Sequence, residues 1–94
     1  MEIFGELIRK YREERKLPLR KIAALLDIDT STLSKIERGE RDAVSIMIPI
    51  LAKELEIDYK TLQINFLTNR IMKDFGNEKF LSEALEETIN ELKS

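Results

Sequence analysis

The chain has 94 residues, neither cysteine nor histidine, and a formal net charge of −2. That length supports one domain with a single small core. Without His or Cys the commonest metal ligands, nucleophiles and near-neutral proton shuttles are missing, so the chain reads as a non-enzyme with no metal site and no cofactor.

Hydrophobic spacing predicts six helices and no strand, an all-α fold. The first helix covers about Glu2 to Lys16, with Ile3, Phe4, Leu7, Ile8 and Tyr11 on one side. Leu17-Pro18 ends it, because proline disfavours helix in the residue before it. Pro18 is expected in the first turn of the second helix, where its missing N–H costs nothing. Ile22, Ala23, Leu25 and Leu26 form the packed side of that helix. Asp27-Ile28-Asp29 is a turn, with Asp29 as N-cap of a third helix and Gly39 as its left-handed terminator. Ser45 is expected to cap a fourth helix over Ile46–Glu56, which leaves Pro49 inside its first turn. Asp58 caps a fifth helix running to Phe75 and stopped by Gly76; Tyr59, Leu62 and Phe66 line one side, and Ile64, Leu67, Ile71 and Phe75 another. A helix apolar on two faces needs two partners. Asn77 is expected to cap a last helix whose stripe is Phe80, Leu81, Ala84, Leu85, Ile89 and Leu92.

The third helix is the unusual one. Four of its first five residues, Thr30, Ser31, Thr32 and Ser34, carry hydroxyls, which are poor helix formers. Lys35 and Arg38 follow, and the apolar residues shrink to Leu33 and Ile36, three apart on one face. A narrow apolar seam opposite a row of short donors and acceptors suits a helix laid in a DNA groove. Charge is uneven along the chain: residues 1–41 hold ten Lys/Arg against eight acids, residues 67–94 four against six. The basic excess is small, so phosphate contacts must be few and well placed. No apolar run reaches membrane-spanning length, and a cytoplasmic protein is expected.

The run Ser31-Thr32-Leu33-Ser34-Lys35-Ile36-Glu37-Arg38-Gly39, with Ile22-Ala23, Leu26 and Ile28 before it, resembles the phage repressor/Cro-like helix-turn-helix family, also called XRE. At this level it is similar to restriction–modification controller proteins and to autorepressing antitoxins. The resemblance covers residues 3–66 in helix order. It implies a lambda-repressor-like domain of about five helices over residues 1–66. Residues 67–94 then form a C-terminal helical extension, packed on the same domain and serving dimerisation. It further implies base reading by Thr30, Ser31, Thr32, Ser34 and Lys35 and phosphate binding by Arg38, Arg41 and Arg20, with Glu37 supporting the fold. Two positions depart from the pattern. Leu19 stands where the family commonly has glutamine gripping phosphate, leaving Arg20 to take its place, and Asp27 stands where glycine is usual.

The expected partner is double-stranded DNA, bound by a homodimer at an inverted repeat to regulate transcription, most simply by repression. Its interface is expected on Ile64, Leu67, Ile71, Phe75, Phe80, Leu81 and Leu85. The competing reading is a protein-interaction module whose C-terminal helices hold a protein partner, as an antitoxin holds a toxin. Arg9, Arg12, Lys16, Arg20 and Lys21, with Glu6, Glu13 and Glu14 interleaved, read from charge pattern alone as a solvated helix face.

Overall fold

A computed structural model describes residues 1–94 and contains six helices and no strand. They are α1 (Phe4–Glu14), α2 (Leu19–Leu25), α3 (Thr30–Glu37), α4 (Met47–Leu55), α5 (Tyr59–Phe75) and α6 (Leu81–Lys93). No helix is long and apolar enough to cross a membrane.

Helices α1 to α5 and their connections enclose one core of 17 buried apolar residues; Ile3 and Leu25, expected on the packed sides of the first two helices, are instead exposed, at 54% and 43%. Ile8, Ile22, Leu33, Ile48, Leu51, Leu55 and Leu62 are its fully enclosed members. Phe4 and Phe66 meet edge to face at 5.6 Å, joining α1 to α5. Tyr59, expected beside Leu62 and Phe66, is instead 48% exposed, because it sits in the first turn of α5 beyond the reach of the core.

Four of the connections share one device. In each, a backbone N–H just past the helix reaches back five residues to a helical carbonyl: Leu17 to Arg12, Ile28 to Ala23, Glu40 to Lys35 and Ile57 to Ala52. Such a Schellman closure puts one residue in left-handed conformation. Those residues are Lys16 (φ 56°), Asp27 (φ 57°), Gly39 (φ 77°) and Glu56 (φ 55°). Asp27 therefore takes the left-handed conformation that glycine adopts most readily.

Three expected helix starts shift. Pro18 is the N-cap of α2, in extended conformation (ψ 151°), rather than in its first turn. Ser45 does not cap α4; Ile46 holds the N-cap position, and backbone turns from Met47 to Val44 and from Ile48 to Ser45 satisfy the N–H groups there. Asn77 does not cap α6, which begins four residues later after Phe80, because turns from Glu78 to Phe75 and Leu81 to Glu78 occupy that stretch. Pro49 does sit in the first turn of α4. The capping Asp29 and Asp58 accept from the backbone N–H of Thr32 and Thr61, at 2.8 and 3.0 Å.

The expected boundary at residues 66/67 falls inside α5, which is continuous through it. Beyond Phe66 that helix leaves the core, and α6 buries none of its residues. The molecule is accordingly elongated, 42 × 25 × 22 Å.

Candidate nucleic-acid interface

The turn between α2 and α3 is built from Asp27, Ile28 and Asp29. Asp27 reverses the chain in left-handed conformation and Ile28 partly fills the core edge. Asp29 then starts α3, and its carboxylate is held below the usual range chiefly by the hydrogen bonds from Thr32, with Ser31 adding a third. Leu33 and Ile36 bury completely against α1 and α2, at 0% and 3% exposure. With that seam fixed inward, the remaining side of α3 must face outward.

Thr30, Ser31 and Lys35 are exposed on that side, while Thr32 and Ser34 are half-buried. Ser31 Oγ lies 3.0 Å from Asp29 Oδ1. The ionised carboxylate can only accept, so the Ser31 hydroxyl donates to it and keeps its lone pairs free. Ser34 has the opposite assignment: its Oγ accepts from Arg38 Nη1, leaving its own hydrogen available.

Arg38 occupies the Ccap of α3 and folds back along the last turn. Its Nε donates to Glu40 Oε2 at 2.5 Å, a bond that raises the arginine and lowers the glutamate from their ordinary pKa values. Arg20 and Arg41 are exposed, and neither they nor Lys35 form an ion pair within the chain. Arg9 and Arg15 do, with Glu13 and Glu56, so Arg20 is the arginine of the first two helices with no acid of its own.

Arg12, expected with its charged neighbours on a solvated face, is instead turned inward. Its side chain is 11% exposed and forks onto Glu37, Nε to Oε2 at 2.7 Å and Nη2 to Oε1 at 3.0 Å. Nη1 donates to the Leu17 carbonyl at 2.8 Å. This buried pair ties the end of α1 to the end of α3, and Glu37 is structural as expected. A motif-bound Glu flanked by an arginine 25 positions earlier gave no sequence signal for the pairing.

The loop after α3 is pinned from below. Asp42 accepts from Lys73 Nζ at 2.6 Å and lies 3.6 Å from Arg70 Nε, and Arg70 Nη1 donates to the Ala43 carbonyl. Lys73, then Arg70, hold the Asp42 carboxyl below its usual range. Arg41 thus projects from a segment braced on α5. Asn69 and Asn65 of the same helix secure the neighbouring start of α1, Asn69 accepting from the Phe4 N–H while both amides donate to the Glu2 carbonyl. No sequence pattern announced either brace.

Of the residues expected at a dimer interface, Ile64, Leu67, Phe75, Phe80 and Leu85 are exposed, and Ile71 and Leu81 are half-buried. Ile71, Phe75, Phe80, Leu81 and Leu85 line one groove between α5 and α6.

Residues 8–62 match a family described as Helix-turn-helix. Over 63 residues, the chain is 40% identical to the HTH-type transcriptional repressor RghR of Bacillus subtilis, covering 66% of this chain and 47% of that protein. A second Bacillus subtilis protein, the uncharacterized HTH-type transcriptional regulator RghRB, is 36% identical over 63 residues, 66% of this chain and 45% of its own. The chain spans about half the length of the curated relatives it matches. No solved structure matches it.

Proposed function

This chain belongs to the helix-turn-helix family, of the XRE type that its Ser31–Gly39 run resembles, and from that premise we propose that it is a sequence-specific DNA-binding transcriptional regulator. It acts in the cytoplasm as a homodimeric repressor on an inverted-repeat operator. The observation that carries the reading is α3 itself: capped by Asp29, closed by Gly39, its whole apolar seam buried, and its outward side left to hydroxyls and an unpaired lysine. A repressor and a regulator among the relatives support the same class.

In this reading Thr30, Ser31, Thr32, Ser34 and Lys35 face base edges in the major groove. Lys35 would favour guanine O6 and N7, and Ser31, with only lone pairs to offer, would accept from an adenine or cytosine amine. Arg38, Arg41 and Arg20 hold phosphates and set the register. Arg38 must exchange the Glu40 carboxylate for a phosphate oxygen, a small cost for an exposed pair. Two copies would present their α3 helices to successive major grooves about 34 Å apart.

Selection from a random duplex library, followed by titration of the enriched sequence at two salt concentrations, tests the proposal. An enriched inverted repeat bound far more tightly than scrambled DNA is the expected result. Binding that salt erases equally on every sequence would sink it. The protein-interaction reading rests on the unpartnered apolar side of α5 and α6, and gains weight if no operator is enriched.

A further inference from the structure

The loop that carries Arg41 has almost no hydrogen bonds of its own. After the Glu40 N–H, which closes α3 on the Lys35 carbonyl, the next backbone N–H to find a backbone partner is that of Met47. Residues 41–43 neither donate nor accept a backbone hydrogen bond, and Arg41 and Asp42 are exposed. Such a segment keeps many conformations unless side chains from elsewhere hold it.

The polar contacts that hold it come from one helix. Beyond the burial of Ala43, residues 41–43 are attached at the Ala43 carbonyl, which accepts from Arg70 Nη1 at 3.1 Å, and at Asp42, which accepts from Lys73 Nζ at 2.6 Å. The other Asp42 oxygen lies 3.6 Å from Arg70 Nε, and Asp74 stands 3.5 Å from the same nitrogen. Two acids and two bases thus form a network, the case in which exposed charges contribute more than an isolated pair does. A cavity of about 230 Å³ takes its wall from Gly39, Arg41 and Asp42 of the loop and from Asn69, Arg70 and Lys73 of α5. The polar contacts therefore bridge a gap instead of reinforcing a packed surface. Arg70, Lys73 and Asp74 all lie past residue 62, where the family match ends.

We propose that Arg70 and Lys73 are positioning residues for DNA binding: through Asp42 and the Ala43 carbonyl they hold the loop, and with it Arg41, where its guanidinium meets a phosphate. The gain is pre-organisation, since a loop already ordered has less to lose on binding. The second half of α5 thereby serves the grip of each single recognition unit, whether or not a second copy is present. The inference rests on the phosphate role proposed for Arg41.

Asp42 gives the test its sign. By charge alone, removing an acid beside a phosphate contact should tighten binding. If that acid anchors Arg41, the same change weakens it. Asp42→Ala should lose roughly two- to tenfold in affinity and up to about 0.9 of the salt slope, on a single half-site and on a random-sequence duplex alike. In an Arg41→Ala background it should cause no further loss. Arg70→Met and Lys73→Met should act in the same direction, but each also removes a positive charge, so the Asp42 variant decides. None of these residues belongs to the core, so the domain should stay folded. Amide relaxation of the free protein reads the brace without DNA. Order parameters of residues 41–44 should fall from about 0.85 toward 0.6 in Asp42→Ala and Arg70→Met, while those of α3 hold. If wild type binds DNA, unchanged order parameters, or an Asp42→Ala that binds as tightly as wild type or tighter, overturn this inference alone. A wild type that binds neither duplex overturns the DNA reading and takes this role with it.

Discussion

Two side chains one turn apart on α3 illustrate how little of a recognition surface is free to vary. Lys35 has no partner in the chain, whereas Arg38 is already bound to Ser34 and Glu40. Lys35→Ala should therefore relax preference at one base pair by about 1–3 kcal/mol, while Arg38→Ala should weaken every sequence and reduce the salt slope by about one. Binding isotherms on single-base operator variants at two salt concentrations separate the two effects. Uniform loss in both would remove Lys35 from base reading. Glu37, the next residue but one after Lys35, is a different case. Its removal leaves the Arg12 guanidinium buried without a counter-charge, and Glu37→Ala should cost about 3 kcal/mol in urea unfolding. Replacing both, Arg12→Met with Glu37→Leu, should recover much of that, since the penalty comes from the orphaned charge.

Among the elements, α1 and α3 pass in backbone contact at Gly5. A Cβ on Gly5 would stand 2.5 Å from the carbonyl oxygens of both Ile36 and Glu37. Backbone cannot yield as a side chain tip can, so Gly5→Ala should lower stability by about 1–3 kcal/mol, seen as a lower thermal midpoint. The Schellman closures point the other way. Lys16 adopts left-handed conformation without the short polar side chain that eases it in Asp27. Lys16→Gly should raise stability by up to about 1 kcal/mol in the same assay. The helix starts share the pH dependence with Glu40 and Asp42, which are likewise depressed. Asp29 and Asp58 are both depressed in the folded state, first by their bonds from Thr32 and Thr61 respectively. A depressed carboxylate stabilises the fold above its unfolded value, and the contribution disappears as pH falls through the folded one. Stability should thus decline below the ordinary carboxylate range. Asp29→Asn, which keeps a capping oxygen but cannot titrate, should flatten the decline in melts recorded against pH.

At the scale of the whole molecule, the radius of gyration of 14.7 Å exceeds the roughly 12.4 Å expected of a compact chain this long. The difference is α6, which stands beside the end of α5 rather than on the core. If that surface closes on a second copy, unfolding becomes concentration-dependent, and the thermal midpoint should rise with protein concentration. A midpoint unchanged across a hundredfold dilution, about the span that separates monomer from dimer in such a linkage, would speak for a monomer.

By itself the sequence determined what short-range physics controls: six helices, the Asp29 and Asp58 caps, the Gly39 stop, the buried seam of Leu33 and Ile36, and the family to which residues 8–62 belong. Each depends on neighbours within one or two turns, where spacing alone says which side chains meet. Where backbone turns could satisfy the same N–H groups, as before α4 and α6, side-chain caps read from residue type were displaced. Contacts across the fold were decided only by tertiary structure. Arg12 left its charged helix face for Glu37, Asn65 and Asn69 closed over the start of α1, and Arg70 and Lys73 braced the loop that carries Arg41. A long polar side chain has several acids or carbonyls it could choose, and only the packing of α1, α3 and α5 brings one of them within reach.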